Sequence, residues 1–347
     1  MKCVYFNRHY KNLRKDNVFY ASNIVNSRTI IDRTGNNNII NLDYVEIPKD
    51  TKTNMTFEEC CMKRAKEIIE LNKFINVMWS GGIDSTSLLI SLLEQGDVRN
   101  QIKINLTKSS IDEFPEFFDK VVKKLNYEIY EEEELIHKDR FLDKDTIYLN
   151  GECGDQLFGS DSLANKEELM KNNWEEILFW KNNFLLSKQN YSDEFYNKIK
   201  SSMFNFIFEH IEYSPIKIIT VYDFYWWMNF SLKWMDVIRR IPFIMAKSTD
   251  YENHLAFYNT EYFQKWSITN HDLKIENEWN TYKQPAKNFI HKYFPNEMYR
   301  KNKLKVPSLY LNIDSYNNTN IALYLNNGES WKMFEEIPND VLINLKI

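Results

Sequence analysis

The sequence is poor in cysteine and histidine, and neither residue type is spaced for a metal site. Its four cysteines include no Cys-x-x-Cys pair, and its six histidines include no His-x-x-x-His pair. A zinc centre is therefore not expected. Adjacent cysteines such as Cys60 and Cys61 seldom form a disulfide framework, so we expect reduced thiols, as in cytosolic proteins.

Long apolar runs and a basic excess are also absent. The densest apolar stretch, 221–232, is interrupted by Asp223 and Asn229 and falls short of the ~20 residues of a membrane span. The N-terminus carries charge too early for a secretory signal peptide, so we expect a cytoplasmic protein. The net charge of -5 disfavours a nucleic-acid-binding protein, which usually carries a basic excess.

The chain is long enough to bury a large core. Its 347 residues are 43% hydrophobic and 15% aromatic, a globular composition with a heavy aromatic content. We expect a hairpin-like segment over 1–55, with a turn at 35–38, and an α/β nucleotide-binding core over 56–165. A mainly α-helical region over 166–347 completes the expected organisation. The aromatic residues at helical spacing near 226–234 are expected to be core.

Strands and helices alternate in the central part of the chain. Thr56 and Glu59 form a capping-box pattern at the start of an amphipathic helix. Apolar strands are predicted at 74–79, 101–106 and 146–149, with helices at 87–93 and 112–125 between them. This alternation predicts an α/β fold in which helices flank a parallel sheet. Ligands bind such sheets beyond the carboxyl ends of their strands.

A glycine turn follows the first of these strands and leads directly into a helix. The turn exposes backbone N–H groups at the positive end of the helix dipole, a combination that binds phosphates. Hydroxyl groups in it can donate further hydrogen bonds. Asp84 would repel a phosphate unless a metal lay between them, so its predicted role is Mg²⁺ ligation. The expected ATP- or pyrophosphate-binding residues are Ser80, Gly81, Gly82, Asp84, Ser85 and Thr86.

This turn, Ser-Gly-Gly-Ile-Asp-Ser-Thr over 80–86, is neither a Walker A loop nor a Gly-x-Gly-x-x-Gly fingerprint. It resembles the PP-loop, Ser-Gly-Gly-x-Asp-Ser/Thr, of the ATP pyrophosphatase superfamily. The resemblance implies a HUP-like fold and cleavage of ATP between its α and β phosphates. In such a reaction the loop holds pyrophosphate and a substrate oxygen receives AMP.

A second motif, Gly-Glu-Cys-Gly-Asp-Gln-Leu-Phe-Gly over 151–159, follows the strand at 146–149. It is similar to the Gly-Glu-Gly-x-Asp-Glu-Leu-Phe-Gly stretch of asparagine synthetase-like enzymes. By that resemblance Asp155 is the second Mg²⁺ ligand beside Asp84, Gly151 belongs to the nucleotide site, and Glu152 contacts the substrate or the attacking amine. Cys153 and Gln156 depart from the family pattern, since they replace a glycine and a glutamate.

Two later segments are weaker matches to the same family. The stretch 295–307 resembles its Pro-x-x-x-x-x-Arg-x-Lys segment, which implies a catalytic lysine. The spacing leaves open whether Lys301 or Lys303 takes that role. The stretch 236–243 is faintly similar to a Glu-x-Arg-x-Pro-Phe segment, in which Arg240 is a candidate pocket or structural residue.

The 73 residues before the first predicted strand are too few for the glutaminase domain that glutamine-dependent asparagine synthetases carry. We therefore expect an ATP- and Mg²⁺-dependent ligase that adenylates a carboxylate on a small molecule or peptide and forms an amide. Its amine would come from free ammonia, a partner protein or the substrate itself. Two alternatives stay open: a PP-loop enzyme that modifies a nucleobase or transfers sulfur, and a non-catalytic nucleotide-binding partner.

Overall fold

A computed structural model describes residues 2–4, 33–34, 45–131, 143–159, 170–175, 207–238, 253–276, 278–303, 323–326 and 331–334. These residues fall into two compact units that interleave along the chain. The first unit comprises 1–47, 159–236 and 316–347, and the second comprises 48–158 and 237–315. The predicted hairpin around 35–38 and the segment around Arg240 lie outside the described residues.

The second unit contains a five-stranded sheet in which every neighbouring pair is parallel. Its strands are β2 (Phe74–Met78), β3 (Ile102–Thr107), β4 (Tyr127–Tyr130), β5 (Thr146–Asn150) and β6 (His254–Ala256). They are arranged in the order β4-β3-β2-β5-β6. In register, Val77 pairs with Ile104 on one side and with Leu149 on the other. The sheet confirms the predicted α/β class and is Rossmann-like.

Helices flank this sheet. They are α1 (Phe57–Ile69), α2 (Ile83–Leu93), α3 (Lys108–Glu113), α4 (Pro115–Lys120) and α5 (Gly154–Phe158), followed by α7 (Glu261–Thr269), α8 (Gln284–Tyr293) and α9 (Glu297–Asn302). The predicted capping box is present, because Thr56 accepts from the N–H of Glu59 and the Glu59 carboxylate accepts from the N–H of Thr56. Aromatic rings of Phe57, Phe158 and Trp266 pack together and join three of these helices.

The single helix predicted over 112–125 is divided in the structure. It becomes α3, α4 and a 3-10 turn at Val122–Lys124. The reason is Pro115, which lacks a backbone N–H and disfavours helical backbone at Phe114, whose φ is -145°. Strands β4 and β6 were not predicted, because one is short and mixed in polarity and the other has only three residues.

The first unit contains α6 (Val221–Met228), which continues as a π-helical turn at Asn229–Lys233. It also contains an antiparallel sheet of β1 (Lys2–Val4), β7 (Leu323–Asn326) and β8 (Trp331–Phe334), in the order β1-β7-β8. The aromatic residues predicted as core are fully buried: Trp226, Trp227, Phe230 and Trp234. The part of the chain that follows the first four strands of the parallel sheet is mainly helical, as predicted, although it also contributes β6, β7 and β8. No helix among the described residues has the length and apolar content to span a membrane.

Candidate functional site

The chain order of the strands creates a crevice between β2 and β5. From β2 the chain proceeds outward through β3 to β4, then returns to the opposite side of β2 to form β5. Such a reversal leaves the connections from the two central strands diverging at their carboxyl ends, where ligands bind α/β sheets. The two motifs found in the sequence, 80–86 and 151–159, directly follow β2 and β5. The fold therefore brings both predicted motifs to one edge of the sheet.

The glycine turn after β2 is closely packed. Gly81 has a φ of +74°, and a Cβ there would lie 2.2 Å from the backbone oxygen of Ser110. Gly82 precedes α2 in extended conformation as its N-cap residue. Only glycine satisfies both the backbone conformation and the space at position 81. The first turn of α2 then presents backbone N–H groups and the helix dipole, as an anion site requires.

The hydroxyl groups of this turn differ in their surroundings. The Ser80 and Ser85 hydroxyls lie 3.0 Å apart, and the Ser80 hydroxyl also accepts from the Gly82 N–H. Thr86 is fully buried, and its hydroxyl accepts a hydrogen bond from the Trp79 indole. Ser80 and Ser85 thus lie at the turn itself. The Thr86 hydroxyl instead contacts the buried Trp79, and a phosphate-binding role for Thr86 stays a prediction.

The glycines of the second motif allow it to approach the first turn of α2. A Cβ on Gly154 would lie 2.4 Å from Cγ of Asp84, and a Cβ on Gly151 would lie 3.1 Å from the backbone nitrogen of Ser85. The Asp84 carboxylate therefore packs directly against the bare backbone of Gly154. A larger residue at either glycine would prevent this close approach. Glu152 lies between these two glycines, and its backbone N–H donates to the Asn150 side chain.

Cys153 occupies the position at which the resembled family has a glycine. Its φ is +71°, in the left-handed region that favours glycine, and its thiol is fully buried. A cysteine therefore adopts a backbone conformation that glycine adopts more readily. The buried Gln156 lies one turn further along, 2% exposed.

The two predicted metal ligands converge on a lysine that the sequence motifs do not contain. Nζ of Lys283 lies 2.5 Å from Oδ2 of Asp84 and 2.7 Å from Oδ1 of Asp155. The lysine is 1% exposed, whereas the two carboxylates are 20% and 29% exposed. Because both carboxylates point at one cation, they form a site that binds positive charge. The phenol of Tyr258 adds support by donating to the backbone oxygen of Asp84.

These carboxylates fit the ligands that Mg²⁺ uses beside a nucleotide. Mg²⁺ is commonly bound by one or two carboxylates, with substrate phosphates and waters completing its octahedron. Asp84 and Asp155 supply such a pair at the crevice. Among the residues that the structure describes, no group of three or more acidic, histidine or cysteine side chains forms a metal cage.

Two further lysines accompany Lys283. Lys287, one turn further along α8, is fully buried and donates to the backbone oxygen of Asn280 at 2.5 Å. Burial, followed by the charges of Lys283 and Lys303, lowers the pKa of Lys287 to about 8. The charges of Lys283 and Lys303 therefore act on the Lys287 ammonium.

The structure separates the two lysines between which the sequence could not choose. Nζ of Lys303 lies 2.8 Å from Oε1 of Glu113, which in turn lies 3.7 Å from the place a Gly82 Cβ would take. Lys303 is therefore beside the glycine turn. Lys301 is 68% exposed, and its Nζ lies 3.8 Å from Oε2 of Glu297.

Lys283, Lys287 and Glu113 were missed by the sequence analysis. One signal for Lys287 was available, since it interrupts an apolar helical stripe formed by Ala286, Phe289 and Ile290. A lysine on such a stripe is buried and needs a partner or a function. Glu113 ends the short helix α3 and Lys283 is the N-cap residue of α8, and neither position carries a comparable signal.

Comparison with known proteins does not assign a family, since no protein-family model and no curated protein matches the chain.

Proposed function

We propose that the chain is an ATP-dependent ligase that adenylates a carboxylate, releases pyrophosphate and forms an amide. The observation that carries the proposal is the convergence of opposite charges at the crevice between β2 and β5. Two aspartates and the lysines Lys283 and Lys303 lie around a glycine turn that leads into a helix N-terminus. This combination suits a metal-bound polyphosphate, which carries both signs of charge.

In the proposed reaction each bond that forms is matched by one that breaks. The substrate carboxylate oxygen attacks the α phosphorus of ATP, and the bond from that phosphorus to the bridging oxygen of pyrophosphate breaks. An amine then attacks the carbonyl carbon of the acyl-adenylate, AMP leaves, and the amine gives up a proton. Adenylation converts a poor electrophile into a reactive one, and the site holds both reactants together.

Residues of this chain would act mainly by binding and by charge. Gly81 gives the turn its left-handed backbone and its close packing on Ser110, and the first turn of α2 behind it would offer its N–H groups to phosphate oxygens. Lys303 would neutralise negative charge as pyrophosphate departs. Asp84 and Asp155 would hold Mg²⁺. The metal would supply charge stabilisation at the phosphate oxygens. Glu152, in the turn between β5 and α5, is the candidate contact to the substrate or the amine.

A substrate-independent binding measurement tests the nucleotide site first. Calorimetric titration should show that ATP and pyrophosphate bind in the presence of Mg²⁺, and that binding weakens by at least about tenfold in Asp84→Asn. The matched control is Asp97→Asn, which changes an exposed aspartate. Equal binding by wild type and Asp84→Asn would remove the metal role of Asp84.

Exchange of labelled pyrophosphate into ATP then tests the reaction, using a panel of small carboxylic acids and peptides. Exchange that requires one acid, and that falls by about 10²-fold in Asp155→Asn, would support adenylation. ATP that binds but stays intact with every acid and amine tried would favour a non-catalytic nucleotide-binding role instead.

The described cysteines give little support to the sulfur-transfer alternative. Cys60, Cys61 and Cys153 are buried. Burial raises the pKa of the Cys60 thiol to about 12 and that of Cys61 well above its usual value. Sulfur transfer requires a thiolate, and burial disfavours the thiolate of both residues.

A further inference from the structure

Lys283 occupies the space that a metal ion bound by both aspartates would need. Its ammonium lies 2.5 Å from one carboxylate oxygen and 2.7 Å from the other. Mg²⁺ holds oxygen ligands at about 2.1 Å, so its position between the same two oxygens would overlap that of the ammonium. Asp84 and Asp155 can therefore be bridged by the lysine or by a metal, but not by both at once.

The carboxylate pair needs a cation in either state. Both carboxylates are mostly buried, at 20% and 29% exposed, and they face the same point. Without a cation between them, two such charges repel and are poorly solvated. Lys283 meets this need from within the chain.

The backbone at Lys283 is unusual for a lysine. Its φ is +61°, in the left-handed region, at the N-cap of α8. The turn is fixed by a hydrogen bond from the Lys283 N–H to the Lys274 oxygen, and by one from the Lys287 N–H to the Lys283 oxygen. Non-glycine residues in this region are uncommon and cluster at functional sites. The long, flexible side chain can change its partner while this backbone stays in place.

Phosphates offer Lys283 a second set of partners. Lys303 lies beside the glycine turn through its contact with Glu113, so a polyanion bound at the turn would lie near both Lys283 and Lys303. When a metal takes the carboxylates, the displaced ammonium can pair with phosphate oxygens at the same site.

We propose that Lys283 is an internal counter-cation that bridges Asp84 and Asp155 when no metal is bound, and that it exchanges with a divalent metal when a metal-bound polyphosphate binds. The inference rests on the proposed function for the identity of its ligand. Its central element, competition between lysine and metal, is testable without nucleotide.

Mn²⁺ is the probe, because its free form is measured directly by electron paramagnetic resonance. In a titration of the full chain without nucleotide, Lys283→Met should bind one Mn²⁺ at least about tenfold more tightly than wild type, since the carboxylates lose their internal cation. Lys283→Gly should show the same gain. Glycine accepts the positive φ, so this second variant avoids backbone strain.

Two further variants test whether the tighter Mn²⁺ binding comes from removing the Lys283 charge between the two aspartates. Lys287→Met removes a neighbouring buried charge that has no described contact with either aspartate, and its gain should be much smaller. Asp155→Asn combined with Lys283→Met should lose the gain, because one metal ligand is missing. Unchanged Mn²⁺ affinity in both Lys283 variants, or an equal gain in Lys287→Met, would overturn the proposal.

A last titration separates this inference from the proposed function. Adding pyrophosphate should strengthen Mn²⁺ binding in wild type by a larger factor than in Lys283→Met, because only wild type has an ammonium to displace. A nucleotide-free gain in the variants without any pyrophosphate or ATP binding would retain the competition and reject the ligase. If ATP binds and pyrophosphate exchange occurs, but the Lys283 variants bind Mn²⁺ no more tightly than wild type, the ligase is retained and the competition between lysine and metal is rejected.

Discussion

Lysine residues of similar sequence context have very different surroundings in this protein. Lys301 and Lys303 are two positions apart, yet one is exposed and the other contacts Glu113 beside the glycine turn. The difference arises because Lys303 is the C-cap of the short helix α9, where the chain turns away from the helix. Proximity to the turn makes Lys303 the stronger candidate.

We predict that Lys303→Met weakens pyrophosphate binding by about tenfold, since one charge-assisted contact is lost. Lys301→Met, the matched control, should change it by less than about twofold, because an exposed charge is screened by solvent. Calorimetric titration of both variants checks this. A larger loss in Lys301→Met would reverse the assignment.

Lys287 predicts a pH dependence of stability. Its folded pKa of about 8 lies below the ordinary value of 10.5, so between these pH values the unfolded chain binds more protons than the native protein. Stability should therefore rise with pH over this window. We expect the free energy of unfolding of wild type, relative to Lys287→Met, to increase by about 1–2 kcal/mol from pH 8 to 10. Urea unfolding of both proteins at each pH measures it, and a flat or falling difference would contradict the expectation.

Cys153 predicts an inverted order of substitutions. In helix α1, Cys61→Gly should be less stable than Cys61→Ala by about 1 kcal/mol, because glycine is the poorer helix former. At Cys153 the left-handed backbone costs any non-glycine residue about 1–2 kcal/mol. Cys153→Gly should therefore be at least as stable as Cys153→Ala, despite the smaller side chain. Thermal unfolding of the four variants measures these stabilities. If the alanine variant is the more stable one at both positions, the backbone at 153 is not strained.

At the scale of elements, the close approach of α5 to α2 is set by glycine. Alanine at a helical glycine position usually stabilises a protein by about 0.5–1 kcal/mol. Gly154 should behave oppositely, because its Cβ would overlap the Asp84 carboxylate.

We predict that Gly154→Ala costs about 2 kcal/mol in the wild-type background and much less in an Asp84→Ala background. The second substitution removes all three atoms within 3 Å of the added methyl group. A double-mutant cycle by chemical unfolding checks the coupling. Equal costs in the two backgrounds would show that the two segments do not touch as described.

At the scale of the whole molecule, an N-terminal residue is tied to a helix almost 200 positions later within the first unit. Arg33 is 2% exposed, donates to the backbone oxygens of Val45 and Phe230 at 2.7 and 2.8 Å, and lies against the ring of Trp234. One guanidinium thus satisfies a buried carbonyl group of Phe230 and a partly buried one of Val45.

We predict that Arg33→Met destabilises the protein by about 3 kcal/mol, because the buried carbonyls lose their donor. Arg33→Lys should recover little, since an ammonium lacks the planar set of donors. Arg300→Met, at an exposed ion pair with Glu297, should cost less than about 1 kcal/mol. Calorimetric unfolding ranks the three variants, and full recovery in Arg33→Lys would exclude the proposed geometry.

The sequence determined the α/β class, the first helix with its cap, the central strands and the two motifs beside the carboxyl ends of β2 and β5. These features follow from local periodicity, capping residues and glycine placement, which act over a few neighbouring residues. Tertiary structure alone decided the interleaving of the two units and the addition of β6 at the edge of the sheet. It also decided that Lys283 lies between Asp84 and Asp155. Lys283 is 199 positions from Asp84 and 128 positions from Asp155. These contacts depend on how the chain returns to the crevice, so they leave no local pattern in the sequence.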